Sequence, residues 1–248
     1  MRRATYHQLF YFPPANLKGD LVGFAADETR HMLASLRLRR GDLISATDGV
    51  GTVFRLAIEG VVRGKATARV LETHCVEPPQ PSIRVFQGIV KPVRMDFLVE
   101  KCVEMGIEAL VPVECARCVG AAGPKRLERW RRVAVEAMKQ SLQAWLPEIS
   151  RPAEFEQALT QAADLDTLLV ATDAAERSRL GEILTAVRVA RIGVWIGPEG
   201  GFTDQERAAL DRIGAVRFGI GRSRLRSETA ALASVALIGE LAKRGASN

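Results

Sequence analysis

Histidine, tyrosine and cysteine are scarce in this 248-residue chain, at three, two and four residues. All three histidines, His7, His31 and His74, fall in the first third, so the later part has no histidine to offer as a general base. The four cysteines, Cys75, Cys102, Cys115 and Cys118, contain a single C-x-x-C pair, and no histidine follows it. A zinc site wants a second pair or neighbouring histidines, so no metal is expected and the thiols read as reduced and mostly buried. No apolar run approaches the roughly 18 residues of a membrane span. After Arg2 and Arg3 come Tyr6, His7 and Gln8, where a signal peptide would continue with a long apolar stretch. A cytoplasmic enzyme without a membrane partner is the expectation.

What is present is an ordinary globular composition, 47% hydrophobic, with a formal charge of +6. The hydrophobic content suffices for a packed core. The basic excess favours a polyanionic partner through phosphate contacts and counterion release, although charge alone does not choose between RNA, DNA and neither.

Along the chain the texture changes once. The first 72 or so residues carry short apolar or alternating runs at 9–12, 43–46, 53–58 and 66–71, separated by Gly41-Asp42, Asp48-Gly49, Gly60 and Gly64, with one helix over 28–36. Closely spaced short strands suggest a small β-barrel. Glu77-Pro78-Pro79-Gln80-Pro81 is a stiff connector and the clearest boundary. Beyond it strands at 83–90, 109–113, 168–172, 192–196 and 216–220 alternate with helices at 94–105, 124–143 and 228–243. That alternation defines an α/β domain with a mainly parallel sheet.

Ligands of open α/β sheets sit at the carboxyl ends of strands, which directs attention to two loops. Gly197-Pro198-Glu199-Gly200-Gly201-Phe202 follows the strand at 192–196, and Thr203 with Glu206 forms a capping box for the next helix. Three glycines around a proline permit close backbone approach to a ligand, and they equally suit a plain strand-to-helix turn. The G-x-x-x-x-G-K-[ST] and G-x-G-x-x-G spacings are both absent, and Glu199 would repel a polyphosphate. A cation or hydroxyl donor fits better, as in S-adenosylmethionine. The second loop, residues 221–230, places Arg222, Arg224 and Arg226 just before a helix start, as either a solvated basic turn or an anion site.

Taken together, I-G-P-E-G-G-F at 196–202 and G-x-x-x-L-R-x-E-T-A at 221–230 resemble the signature of the RsmE family, SPOUT-class methyltransferases acting on N3 of a 16S rRNA uridine. K-P-x-x-M-D-x-x-V-x-K-x-x-E-x-G at 91–106 is similar to the segment that opens that family's methyltransferase domain. Ala116-Arg117-Cys118-Val119 resembles its S-E-R-S-V stretch, and residues 31–42, with Leu36-Arg37 and Gly41-Asp42, resemble its N-terminal H-L-x-x-V-L-R-x-x-x-G-D segment. The resemblance spans nearly the whole chain in order. It departs at Lys139 and Gln143, where the family pattern E-Q-S-G-R has glutamate and arginine, and at Gln8-Leu9-Phe10, where it has R-F-F.

The resemblance implies an RNA-binding PUA-like β-barrel over 1–73, a proline-rich linker over 74–82, and a SPOUT domain with a deep trefoil knot over 83–248. It further implies a homodimer acting on 16S rRNA of the small ribosomal subunit. The S-adenosylmethionine site would comprise Ile196, Gly197, Pro198, Glu199, Gly201, Ile220, Gly221, Leu225 and Arg226. Uracil N3 must lose a proton before it is a good nucleophile. Arg226 is a candidate to stabilise charge on a uracil oxygen, and Glu228 is a candidate base or a cap of the final helix. Arg2, Arg3, Arg30, Arg37, Lys91 and Arg94 are candidate RNA contacts, and each also fits a solvated surface charge; the same holds for Lys125, Arg126, Arg129, Arg131 and Arg132. A SPOUT methyltransferase with another RNA target such as tRNA, and a non-catalytic RNA-binding or ribosome-assembly protein, stay open as alternatives.

Overall fold

The computed structural model describes residues 8–120, 122–172, 180–186, 190–220 and 223–245. The chain divides into two units: Met1–Pro78 with Val135–Leu146, and Pro79–Ala134 with Pro147–Asn248.

The first unit is built on six strands: β1 (Leu9–Tyr11), β2 (Leu17–Lys18), β3 (Leu21–Gly23), β4 (Leu43–Thr47), β5 (Thr52–Val62) and β6 (Lys65–Cys75). They form one sheet in the order β1-β4-β5-β6-β3-β2, with β1 parallel to β4 and the other pairs antiparallel. The long β5–β6 hairpin is closed by Arg63 and Gly64, both at positive φ (51° and 75°), as a two-residue turn matching strand twist requires. Alternation along β5 sends Phe54, Leu56 and Ile58 inward, where they meet Phe10, Phe12, Phe24 and Met32. Helix α1 (Ala26–Arg30) runs straight into a π-helical turn, His31–Ser35, marked by the bond from Leu36 N–H to the His31 carbonyl at 3.1 Å. The helix expected over 28–36 is thus there, but its second half is wound wider than an α-helix.

Residues 135–146 also belong to this unit, which no shift in composition announced. Thr47 Oγ1 and the Gly51 N–H both donate to the Ala144 carbonyl, at 3.0 and 3.1 Å. The Trp145 ring lies so close over Gly51 that a Cβ there would sit 2.3 Å from Cζ2, and Gly51 is also at φ +99°. Only glycine satisfies both conditions.

The second unit contains β7 (Ser82–Gly88), α2 (Pro92–Glu104), β8 (Ala109–Glu114), α3 (Pro124–Gln140), β9 (Glu148–Ile149), β10 (Ala153–Glu154), α4 (Phe155–Gln161), β11 (Thr167–Thr172), α5 (Leu180–Ala186), β12 (Arg191–Ile196), α6 (Asp204–Arg212), β13 (Val216–Gly219) and α7 (Ser227–Gly245). The last turns of α3 fall in the first unit by the division above. Seven strands make a wholly parallel sheet, in the order β10-β8-β7-β12-β11-β13, with β9 also on β8. The expected α/β alternation is therefore present. Phe86 of β7 stacks on Trp195 of β12, ring centroids 4.4 Å apart, at the centre of a core shared with Phe155 and Phe202. Helix α2 begins two residues before the expected 94 because Pro92 occupies a first-turn position, where its missing N–H costs nothing. Helix α3 stops at Gln140, short of the expected 143; Leu142 has turned to φ +58°, and Gln143 N–H bonds back to the Met138 carbonyl at 3.1 Å. No helix among the described residues is long and apolar enough to cross a membrane.

Inside the first unit, the half-buried Lys139 ammonium bonds to the carboxylates of Glu136 and the buried Glu28. Burial pushes the Glu28 carboxyl above its usual range, outweighing the bond and charge of Lys139. Burial also works against the Lys139 charge, but its bonds to Glu136 and Glu28 prevail and hold it above its usual value. With its pKa raised by folding, Glu28 adds stability that is complete below the ordinary glutamate value. This contribution fades as pH rises through the raised value. Lys139→Met should cost about 3–5 kcal/mol at neutral pH by stranding Glu28, and less as pH falls and Glu28 protonates. Urea unfolding at two pH values measures this, and the double variant Glu28→Gln/Lys139→Met should recover most of the loss.

Candidate functional site

Strands β12, β11 and β13 lie side by side, and their carboxyl ends open onto a cavity of about 490 Å³ within the second unit. Its walls come from the loop after β12, the segment between β13 and α7, and residues 170–172 at the end of β11.

The loop after β12 is folded back on itself. Gly201 N–H donates to the Pro198 carbonyl at 2.8 Å, and Gly201 sits at φ +67°. A Cβ on Gly197 would lie 3.2 Å from both Gly201 Cα and Phe202 N, so the start and end of the loop touch. The loop also presses on β7: a Cβ on Gly88 would be 2.5 Å from Pro198 Cδ and 2.6 Å from Pro198 N. Beyond the loop, α6 opens with the expected capping box. Glu206 N–H donates to Thr203 Oγ1 at 3.2 Å, and Thr203 N–H donates to Glu206 Oε2 at 2.7 Å. The other oxygen of this buried glutamate accepts from Ala116 N–H at 2.8 Å, and Arg117 Nη1 donates to the Gly200 carbonyl at 3.0 Å. The turn after β8 is thus strapped across the glycine loop.

The two loops are joined through β7. The amide of Gln87, fully buried, donates to the Gly88 carbonyl at 2.7 Å and to Ser227 Oγ at 2.8 Å. Ser227 Oγ donates in turn to the Gly197 carbonyl at 2.5 Å. Ser227 is the first residue of α7, so a single side-chain relay ties the start of that helix to the start of the glycine loop.

Among the described residues, five arginines, Arg94, Arg207, Arg217, Arg224 and Arg226, and one acid, Glu199, face the cavity. Arg94 lies between two carboxylates, with Nη1 3.3 Å from Glu199 Oε1 and Nε 3.6 Å from Glu228 Oε1. Lys91 N–H adds a bond to Glu199 Oε1 at 3.3 Å. Among the described residues, neither Oε2 of Glu199 nor Oε2 of Glu228, both buried, has a hydrogen-bond partner. Arg207 is tied to the Phe202 carbonyl and to Asp204, and Arg217 Nε to Asp211 at 3.1 Å. Arg224 and Arg226 are exposed.

Of the residues expected at a cofactor site, Ile196, Gly197, Pro198, Glu199, Gly201, Ile220, Leu225 and Arg226 line this cavity together. Gly221 lies outside the described residues, as do Arg2 and Arg3. Glu228 is buried in the first turn of α7, behind the lining and paired with Arg94. Arg94, considered a phosphate contact from sequence, is drawn into the cavity wall by its two glutamates, whereas Lys91 is exposed. Arg30 and Arg37 are exposed residues of the first unit. Sequence reasoning passed over Val170, Ala171 and Thr172, although the rule that ligands sit at strand ends applies to β11 as well. It also passed over Gln87, for which no local signal exists, and gave Ser227 no role of its own within the 221–230 loop. Among the described residues no cluster of three or more metal-ligating side chains occurs.

This parallel sheet and its looped strand ends are those of an RNA methyltransferase: the family model described as RNA methyltransferase domain matches residues 77–239. The ribosomal RNA small subunit methyltransferase E of Mycobacterium bovis is 33% identical over 244 residues, covering 95% of this chain and 92% of that protein. Its Bacillus subtilis counterpart is 28% identical over 224 residues, covering 86% and 87%. A crystal structure of a ribosomal RNA small subunit methyltransferase E from Neisseria gonorrhoeae bound to S-adenosyl methionine superposes with a TM-score of 0.85 at 30% identity, covering 95% of this chain and 98% of that one. The chain belongs to the ribosomal RNA small subunit methyltransferase E family, the family its motifs resemble.

The contact of β7 with the glycine loop yields a test. Gly88→Ala must displace backbone at Pro198, which cannot rotate away as a side chain tip could. It should lower stability by about 1–3 kcal/mol, read as a lower urea midpoint with an unchanged slope.

Proposed function

We propose that this chain transfers a methyl group from S-adenosylmethionine to N3 of a uridine in 16S rRNA of the small ribosomal subunit. The observation that carries this reading is the convergence of both motif loops on one cavity, with a Glu199 oxygen in its wall that is unpartnered among the described residues. The volume lies within the roughly 300–1,000 Å³ of small-molecule sites. A carboxylate among glycine backbone suits a ligand bearing a cation and ribose hydroxyls; bound there, S-adenosylmethionine supplies an activated methyl group. Gly197, Pro198, Glu199, Gly201, Ile220, Gly221, Leu225 and Arg226 would hold it.

In this reading Arg226, exposed on the cavity wall, stabilises the negative charge that develops on a uracil oxygen as N3 loses its proton. Glu228 orients Arg94 and does not meet the base, because it is buried behind the lining and already paired. Arg224, Lys91, Arg30, Arg37, Arg2 and Arg3 would contact RNA phosphates. The six-stranded unit would be a PUA-like RNA-binding barrel (1–73), joined by a proline-rich linker (74–82) to a SPOUT domain (83–248) whose cofactor loops form a trefoil knot. The enzyme would work as a cytoplasmic homodimer. The Neisseria gonorrhoeae structure, which covers 95% of this chain, supports the shared methyltransferase fold on which these expectations rest.

Incubation with labelled S-adenosylmethionine and 30S subunits, naked 16S rRNA or tRNA, followed by nucleoside mapping, should give 3-methyluridine in 16S rRNA. Label confined to tRNA, or no label on any RNA, overturns the proposal. Arg226→Ala should lower turnover by about 10²–10³-fold with RNA binding retained, and Glu228→Gln should lower it less. Normal turnover of Arg226→Ala would remove its assigned role.

A further inference from the structure

Residues 115–118 form a tight turn at the end of β8, with Cys118 N–H donating to the Cys115 carbonyl at 3.0 Å. Such a turn brings its first and last Cα within about 7 Å, overlapping the roughly 4.4–6.8 Å that disulfides span. Cys115 N–H donates to Cys118 Sγ at 3.2 Å, and the Cys118 thiol donates to the Val113 carbonyl at 3.5 Å. Cys115 is buried and Cys118 half-buried, so an oxidant reaches Cys118 first. The same turn is the strap on the glycine loop, through Ala116 N–H to Glu206 and Arg117 to the Gly200 carbonyl. Gly200 packs so tightly under Arg117 that a Cβ there would lie 2.9 Å from Arg117 Cβ.

We propose that Cys115 and Cys118 are a reversible oxidation site for peroxide, whose disulfide distorts the strap and weakens cofactor binding in the adjacent cavity. The cofactor consequence rests on the methyltransferase reading above; the oxidation does not. In the first step the Cys118 thiolate attacks hydrogen peroxide, the O–O bond breaks, hydroxide leaves, and Cys118 becomes a sulfenic acid. In the second, the Cys115 sulfur displaces water from that sulfenic acid, using the thiol proton, and the S–S bond forms. Two thiols and one peroxide thus give one disulfide and two waters. A dithiol reductant reverses it by exchange.

The neighbouring Cys115 thiol holds the Cys118 thiol below its usual range, against burial and with help from the backbone N–H groups of Cys115 and Ile89. The nearby Cys118 thiol, together with burial, pushes the Cys115 thiol up. That is the division of labour of an attacking and a resolving cysteine. The remaining cysteines differ: burial pushes Cys102 up to about 12, and exposed Cys75 has no role in the strap.

The test treats the full chain with a small excess of hydrogen peroxide and reads two things: the mass of the peptide carrying both cysteines, and S-adenosylmethionine affinity by calorimetry. The expected result is loss of two hydrogens from that peptide and a roughly tenfold weaker affinity, both restored by dithiothreitol. Cys118→Ser should abolish both responses. A peptide that keeps both thiols overturns the proposal, and so does a disulfide that leaves affinity unchanged. If the reduced protein binds no cofactor at all, the methyltransferase reading fails, while the mass shift still decides the oxidation site.

Discussion

Everything at the cavity depends on how closely the glycine loop is held to β7. Gly88 leaves no room for a side chain beneath Pro198, and one position earlier Gln87 reaches through Ser227 to the Gly197 carbonyl. This relay is buried, and buried polar groups left without partners are costly, so the three groups fix one another. A loop of three glycines would otherwise sample many conformations at high entropic cost on binding. Holding it at Gly197 from β7 and at Gly200 from the turn after β8 preorganises it before any ligand arrives.

Charge is arranged on top of that frame. Arg94 is shared by Glu199 and Glu228; among the described residues the second oxygen of each carboxylate meets no partner, which leaves a local excess of negative charge. Arg207 and Arg217 are occupied by neighbouring aspartates. The exposed pair Arg224 and Arg226 therefore gives the cavity its outward positive character, next to a recess better suited to a cation. A site for a cationic cofactor and a polyanionic substrate needs this separation, since one uniform field would repel one of them.

Much of this was legible in the chain. The parallel strands announced themselves as short apolar runs, and Thr203 with Glu206 announced the start of α6, because both signals are local. The two glycine and arginine loops identified eight residues that do share one cavity. What stayed hidden depends on distance. Gln87 and Ser227 are 140 residues apart and look like an ordinary strand glutamine and helix-start serine. Residues 135–143 read as the tail of a helix, yet with Ala144 and Trp145 just beyond they complete the first unit against Thr47 and Gly51. Glu199 and Glu228 meet on the one guanidinium of Arg94, a pairing that periodicity does not encode.

Preorganisation of the two motif loops by the Gln87–Ser227–Gly197 relay is tested most directly by calorimetry of S-adenosylmethionine with the native chain and with Ser227→Ala. Removing one hydroxyl should weaken binding by roughly tenfold, near 1.4 kcal/mol, with an added entropic penalty from ordering the freed loop. Affinity and entropy equal to those of the native chain would contradict the account.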